Sequence, residues 1–215
     1  MSHTLTSSRV SRAGRIALFG ATLLLLGGLF AACGKTPVSD TPVASSHAAM
    51  KMVMSATKPS KVVNLTIVAQ KPGSSVDGPA YMPSTQLTAP AHSTVTVTIV
   101  NADAGDTPLP AGSPFSQVTG VVGGQATVDG VAYSKLSPDK VAHTFTVPSL
   151  GVNVPIPGDI PAGKSGITVT FSFVTGSAGT FMWQCMDPCG ADPNGWGGPM
   201  AMRGYMMGTM TVVGK

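Results

Sequence analysis

The chain is 215 residues long and carries little charge: 10% of its residues are charged and 43% are hydrophobic. Its formal net charge is +4, but three of the 13 basic residues lie near the N-terminus (Arg9, Arg12 and Arg15), so the remainder is almost neutral. This charge distribution provides no basic patch for nucleic acid, and we expect no nucleic-acid partner. All nine acidic residues are aspartates, which excludes an acid–base enzyme that uses glutamate.

Residues 1–32 have the pattern of a signal peptide. The three arginines precede an apolar run over 16–30, which is too short and wrongly flanked for a membrane-spanning helix. Small residues then lead directly into Cys33, and this ending resembles the lipobox of bacterial lipoproteins. We therefore expect an extracytoplasmic protein that is anchored to the bacterial cell membrane by a lipid on Cys33. Ordinary secretion, with Cys33 as a free thiol, is the alternative.

Residues 33–60 are predicted to form a flexible linker, because this segment is rich in Thr, Pro, Ser and Ala and has no apolar periodicity. The linker contains three alternating methionines, Met50, Met52 and Met54, with His47 nearby. This cluster resembles those that capture Cu(I) in extracytoplasmic copper proteins. One face of a short strand is the alternative.

Residues 61–215 are predicted to form a single all-β domain. Six segments are β-branched or aromatic with partial alternation and are separated by Gly/Pro clusters: 62–69, 93–101, 141–147, 167–175, 179–184 and 209–213. No useful helical period occurs after the linker, so we expect a Greek-key β-sandwich with its own core. The segment 102–140 is long for a loop, and we expect it to cover the functional site or to form minor structure of its own.

The strongest chemical signal is a pair of cysteines four positions apart, Cys185 and Cys189. His143 lies on a predicted strand upstream of them, and methionines follow them. Thiolate, thioether and imidazole ligands together favour copper, so we expect these residues to bind a copper ion. A disulfide between Cys185 and Cys189 is the alternative, because an oxidising compartment favours it and Cys33 is expected to be lipidated.

Two segments resemble the copper-binding domain of cytochrome c oxidase subunit II. Residues 143–153 are similar to its His-Ser-Phe-x-Val-Pro-x-Leu-Gly segment, and residues 184–190 are similar to the Gly-Gln-Cys-Ser-Glu-Leu-Cys-Gly loop that binds its dinuclear copper centre. Residues 83–103 are separately similar to cupredoxins. The resemblance implies a cupredoxin-like fold, in which His143 and both cysteines are copper ligands and Asp187 contributes a backbone carbonyl.

The last part of the family's motif differs in this chain. Aligning 204–206 before the final strand matches Met206 to the axial methionine and Arg203 to a histidine ligand, and arginine has no lone pair to donate to copper. A dinuclear centre needs one imidazole for each metal, and His92 is expected at the surface. We therefore expect a mononuclear site. Its predicted ligands are His143, Cys185, Cys189 and Met206, with Met200 and Met202 as alternatives for the thioether.

The expected function is electron transfer through this mononuclear copper site, with a respiratory redox protein as a candidate partner. Copper delivery or storage is one alternative, and a metal-free interaction module with a disulfide between the two cysteines is another. The sequence has no Ser/His/Asp arrangement and no phosphate-binding loop, so we do not expect an enzyme.

Overall fold

The computed structural model describes residues 61–105, 107–190 and 194–214. The strands in these ranges are β1 (Lys61–Val68), β2 (Ala80–Met82), β3 (Gln86–Pro90), β4 (Thr94–Asn101), β5 (Ala126–Val128), β6 (Val131–Tyr133), β7 (Val141–Val147), β8 (Val152–Pro157), β9 (Ile167–Val174), β10 (Gly179–Gln184) and β11 (Met207–Val213). Short 3₁₀ helices occur at Pro114–Ser116, Val122–Gly124, Pro138–Lys140, Pro148–Leu150 and Gly198–Ala201. None of the helices in the described ranges has the length and apolar character needed to cross a bilayer. The predicted signal peptide, the linker and Cys33 lie outside these ranges.

The strands form two sheets that pack face to face. The first sheet has the order β2-β1-β4-β9-β5-β6, and the second has the order β3-β11-β10-β7-β8. The chain crosses between the sheets five times along the sequence, which is Greek-key connectivity rather than a meander. The predicted all-β, cupredoxin-like sandwich is confirmed in its layers and in its connections.

All six strands predicted from alternation are present, as β1, β4, β7, β9, β10 and β11. The sequence pattern does not predict the other five. Of these, β2, β5 and β6 have three residues each, too few for alternation to be visible. In β8, Pro155 and Pro157 argue against a strand, and this strand lies at the edge of its sheet, where proline is tolerated.

The core lies between the sheets and is formed by alternate residues of the central strands. In β4, every second side chain is buried, and its antiparallel neighbour β9 shows the same alternation. Strands β7 and β8 differ, because every residue in both is buried. Their second face is covered by the long segment 102–140, whose Phe115 and Gln117 carbonyls accept hydrogen bonds from Asn153 in β8. Part of the long segment therefore packs against β8, the neighbour of the strand that carries His143.

Candidate metal centre

Three predicted ligands meet at one end of the second sheet. His143 lies in β7, Cys185 directly follows β10, and Cys189 is in the loop after it. One ring nitrogen of His143 and the two Sγ atoms all lie within 4.8 Å of one another. The two sulfur atoms are 3.5 Å apart and are free thiols. Because β7 and β10 are neighbours in the sheet, residues forty positions apart in sequence form one cluster.

A β-bulge helps to aim His143 at this cluster. The register between β7 and β8 shifts between Val141 and His143, which leaves Ala142 as the extra residue. Bulges bend a strand and redirect the neighbouring side chains, and they are frequent next to functional sites. The bulge moves His143 by one position relative to β8, and the His143 side chain is fully buried.

The two ring nitrogens of His143 have different surroundings. Nε2 is 2.8 Å from Oδ2 of Asp103, whereas Nδ1 is buried and has no hydrogen-bond partner among the described residues. A carboxylate on one ring nitrogen is the usual arrangement of a metal-binding histidine, because it fixes the ring and leaves the other nitrogen for the metal. The unpartnered Nδ1 is therefore the atom that fits a metal ion. Burial lowers the pKa of His143, but Asp103 and the nearby Cys185 raise it to about 9.

Asp103 is itself held rigidly. Asn101, at the end of β4, accepts a hydrogen bond from the Asp103 amide at 3.1 Å and donates to the Asp103 carbonyl at 2.8 Å. The same amide group of Asn101 donates to the Pro157 carbonyl of β8. The hydrogen bond to His143 lowers the pKa of Asp103, so this carboxylate is ionised at neutral pH. The contact of Asp103 with His143 could not be predicted from the sequence, because no local pattern connects two residues forty positions apart.

The two cysteines differ in their electrostatic surroundings. The amides of Thr144 and Asp187 donate to Cys185 Sγ at 3.3 Å and 3.4 Å, which favours a thiolate there. Burial raises the pKa of Cys185, but the hydrogen bond from Cys189 and the nearby His143 ring lower it, and the result is well below the ordinary value for a thiol. The pKa of Cys189 is raised, first by its hydrogen bond to Cys185 and then by burial. Cys185 is thus the preformed thiolate, and thiolates are the metal-binding form of cysteine.

The candidate methionines differ in their surroundings. Met200 Sδ lies 3.3 Å from Cys189 Sγ. Met206 is fully buried, and its carbonyl accepts a hydrogen bond from the Cys185 amide at 2.8 Å, so its backbone is adjacent to the site. Met202 is 41% exposed, and Arg203, which aligns with the missing histidine, is also exposed. Met200 and Met206 are therefore the candidates for a thioether ligand.

Gly190 permits the close approach of the loop that carries Met200. A Cβ atom at this position would lie 2.3 Å from the Gly197 carbonyl oxygen and 2.8 Å from Cγ of Met200. Its amide donates to the Gly195 carbonyl at 2.7 Å, which closes the loop after Cys189. Because Gly190 has no side chain, Met200 can contact Cys189.

Asp187 lies between the two cysteines, and its side chain is buried. Both of its carboxyl oxygens lack a hydrogen-bond partner among the described residues. Burial, followed by the charge of Cys185, raises its pKa to about 8, so the group is mainly neutral at pH 7. Its backbone carbonyl accepts a hydrogen bond from the Cys189 amide at 2.8 Å. The backbone of Asp187 thus shapes the ligand loop, and its side chain adds little charge to the site.

A buried polar chain supports the ligand loop from behind. The Met186 amide donates to Oγ1 of Thr144 at 2.7 Å, and Thr144 is 2.9 Å from Thr146 Oγ1. Thr146 donates to Asn153 Oδ1 at 2.7 Å, and Asn153 bonds to the segment 102–140. A fully satisfied buried network rigidifies its surroundings, so the loop between the cysteines is fixed before any metal binds.

Fold and site together define a β-sandwich protein with a buried, sulfur-rich candidate metal site. The groups that could bind a metal are one imidazole nitrogen and two cysteine sulfurs, with the Met200 thioether beside Cys189. Hard cations such as Mg²⁺ and Ca²⁺ prefer oxygen ligands. Zinc accepts cysteine and histidine, but a thioether beside two thiols favours copper, and the predicted cofactor is therefore supported by the donor set.

Comparison with known proteins gives remote structural likenesses. No protein-family model matches the chain, and no curated protein matches it. The chain is similar in structure to auracyanin B (15% identity, covering 73% of this chain and 91% of that chain, TM-score 0.32). It is also similar to a multicopper oxidase (10% identity, 73% and 45% covered, TM-score 0.35). A third likeness is to auracyanin A, a "blue" copper protein of Chloroflexus aurantiacus (18% identity, 71% and 99% covered, TM-score 0.28).

The chain spans less than half of the multicopper oxidase, at 45% of its length. All three TM-scores are below 0.5, so the class of this protein follows from its own strand order and donor atoms.

We expect Asp103→Asn to weaken copper binding by about 10- to 100-fold, the range typical for removing the hydrogen-bond partner of a metal-binding histidine. The asparagine amide can donate to Nε2 of His143, which moves the ring proton to Nδ1, the nitrogen that the metal needs. Competition with a copper chelator measures the affinity. Asp159→Asn is the matched control, because Asp159 is exposed and its partner is Lys140. Equal affinities for the two variants would contradict the role of Asp103.

Proposed function

We propose that this protein is an extracytoplasmic copper protein, anchored to the membrane through a lipid on Cys33, that transfers electrons through one copper ion. The ligands in this proposal are His143, Cys185, Cys189 and a methionine. The observation that carries the proposal is the buried, unpartnered Nδ1 of His143 beside two cysteine sulfurs. A buried polar atom without a partner calls for an explanation, and a metal ion supplies one.

The residues around the site suit a one-electron carrier. Copper, when bound, supplies the redox couple, and its potential depends on the axial ligand and on hydrogen bonds to the cysteine sulfur. Here two backbone amides donate to Cys185, and Asp103 holds the His143 ring. These contacts fix the donors in one geometry, which limits rearrangement when an electron passes. Burial of His143 and Cys185 excludes water from the ligands.

A mononuclear site is favoured over a dinuclear one. His92 is exposed, so His143 is the one histidine of the described residues that belongs to the donor cluster. Arg203 is exposed at the position where the subunit II motif has its second histidine. The specific resemblance to cytochrome c oxidase subunit II, and a respiratory redox protein as the partner, remain proposals that rest on the two matching segments. In this proposal the protein is a carrier and not an enzyme.

Copper delivery or storage is the second candidate, and one observation favours it. Three sulfur atoms are in successive contact: Cys185 Sγ lies 3.5 Å from Cys189 Sγ, which lies 3.3 Å from Met200 Sδ. A sulfur-rich set prefers Cu(I), which would favour retention of the reduced ion over redox cycling. Reversible cycling with an intense visible band supports the electron carrier. Binding of Cu(I) alone, with transfer to another protein, supports delivery.

The direct test is copper stoichiometry in the full chain. The chain carrying Cys33→Ser is reduced, mixed with Cu(I) or Cu(II), freed of excess metal and measured for bound copper and visible absorption. The double variant Cys185→Ser/Cys189→Ser corrects for binding elsewhere, including at Met50, Met52 and Met54. One copper per chain above this control supports the proposal. No copper, together with the loss of two free thiols on oxidation, would instead indicate a structural disulfide.

Methionine variants identify the thioether ligand. Leucine conserves the volume of methionine, so Met200→Leu and Met206→Leu are expected to cost less than about 1.5 kcal/mol in folding stability. We expect one of these two variants to change the spectrum and the reduction potential of the copper protein. Met202→Leu is the control and is expected to change neither, because Met202 is largely exposed. If both buried variants keep the wild-type spectrum and potential, neither Met200 nor Met206 is a copper ligand.

A further inference from the structure

A pocket of about 360 Å³ opens beside the donor cluster. Its wall is formed by Ala69 and Asp77 from the connection between β1 and β2, by Asp103, and by Cys189 and Gly190 of the ligand loop. The proposed function does not use this pocket. Its lining combines carboxylates at the outside with a cysteine ligand at the inside.

The exposure of the three donors indicates which of them lies nearest to the pocket. His143 and Cys185 have no exposed surface, whereas Cys189 is 8% exposed and borders the pocket. An ion that moves inward through the pocket therefore meets Cys189 before the other two donors. Cys185 Sγ lies 3.5 Å behind Cys189 Sγ, close enough for an ion to pass between the two sulfurs without returning to solvent.

The charges on the pocket wall favour a cation. Asp77 is exposed, and the Asp103 side chain keeps 19% of its surface accessible while it holds His143. No lysine or arginine of the described residues lines the pocket. The nearest part of the β1–β2 connection does contain Lys71, but its ammonium group donates to the Gly204 carbonyl at 2.8 Å and lies over the Tyr205 ring. A cleft lined by charges of one sign raises the local concentration of the opposite ion.

We propose that this pocket is the route by which copper reaches the site, with Cys189 as the first ligand to bind the incoming ion. This inference rests on the proposed function, because it requires that the three donors hold copper. Cu(I) exchanges its solvent ligands for the sulfur of Cys189 and then for the deeper donors. The two cysteines bind as thiolates and His143 binds through Nδ1, and the protons that these atoms hold in the metal-free protein leave to solvent. No electron is transferred in this step.

Two variants change the route without touching a ligand. Ala69→Phe places a bulky ring at the pocket wall, and the exposed position of Ala69 makes this substitution tolerable for the fold. Asp77→Asn removes one carboxylate and keeps the shape. The matched controls are Val62→Phe, at a 51% exposed position that lines a different pocket, and Asp159→Asn, an exposed aspartate outside the pocket.

The experiment measures the rate and the extent of loading separately. The reduced full chain carrying Cys33→Ser is mixed rapidly with Cu(I) held in solution by acetonitrile, and the growth of the thiolate-to-copper ultraviolet absorption is followed. The double variant Cys185→Ser/Cys189→Ser gives the background. The final copper content is then determined for every variant. Thermal unfolding of each metal-free variant checks that the fold is intact.

We expect Ala69→Phe to slow loading by about 10-fold and Asp77→Asn by a smaller factor, while both reach the wild-type copper content. The slowing by Asp77→Asn should disappear at high salt, because screening removes the attraction. The two controls should load at the wild-type rate. Wild-type rates in both pocket variants would overturn the route even though the site binds copper. Failure of the parent chain to bind copper above background is a different outcome, and it would overturn the proposed function together with the route.

Discussion

Cys185→Ser is expected to weaken copper binding by at least ~100-fold. Cys185 is the preformed thiolate of the cluster, fully buried and stabilised by the Thr144 and Asp187 amides, and a serine hydroxyl at the same place stays protonated. Zinc-finger peptides bind their structural zinc through four ligands with ~10–16 kcal/mol, so one lost ligand corresponds to about 3 kcal/mol. Competition with a copper chelator, corrected for background binding, measures the effect.

The control for this prediction is Cys33→Ser alone, which is expected to retain one copper per chain. Cys189→Ser is expected to weaken binding as well, but serine at position 189 leaves Cys185 and His143 in contact. Retention of copper by Cys185→Ser at the wild-type level would show that the metal is held elsewhere in the chain, and the proposed site would then be wrong.

Trp183→Ala is expected to destabilise the domain by about 3–5 kcal/mol, the usual cost of truncating a buried tryptophan. Trp183 has no exposed surface, stacks on Phe145 with 5.0 Å between ring centroids, and meets Tyr81 edge to face at 4.9 Å. Its indole N–H donates to the Thr85 carbonyl at 3.1 Å, and that carbonyl would lose this donor in the variant. Denaturant unfolding of the metal-free protein measures the loss.

Trp196→Ala provides the matched control for this change in stability. Trp196 lies in the segment between Cys189 and β11 and is 47% exposed, so its removal should alter the free energy of unfolding by no more than about 0.5 kcal/mol. Trp183 is only two residues before Cys185, and its loss should also loosen the ligand loop and weaken copper binding. A cost below about 1 kcal/mol for Trp183→Ala would mean that the aromatic cluster does not support the core as its geometry indicates.

Both predictions concern residues near the end of β10, where the core meets the donor cluster. Phe145 and Trp183 pack in the sandwich, and the next outward-lying groups on the same two strands are His143 and Cys185. The rigidity that a carrier needs therefore comes from the core itself. We infer that core variants weaken copper binding by destabilising the fold, whereas ligand variants weaken it by removing a donor atom. Measuring the stability of the metal-free variants distinguishes these two causes.

The alternating strands could be predicted because their signal is local. In β4 and β9, one face of the strand is buried and the other is more accessible, so buried and accessible residues alternate along the sequence. Strands β7 and β8 are buried on both faces, so β8 shows no alternation, and its two prolines are tolerated because it is an edge strand. Its place in the sheet depends on pairing with β7, which the isolated segment does not reveal.

The chemistry of the candidate site is readable from the sequence. The residue types in the order His143, Cys185, Cys189 and methionine predict a soft metal site, because ligand preference belongs to the side chain. The groups that surround these donors are known only from the folded chain. Asp103 reaches His143 across forty residues, and Met200 reaches Cys189 through the turn at Gly190. Such contacts depend on sheet order, on a bulge and on close backbone approach, and these arise only when distant segments pack together.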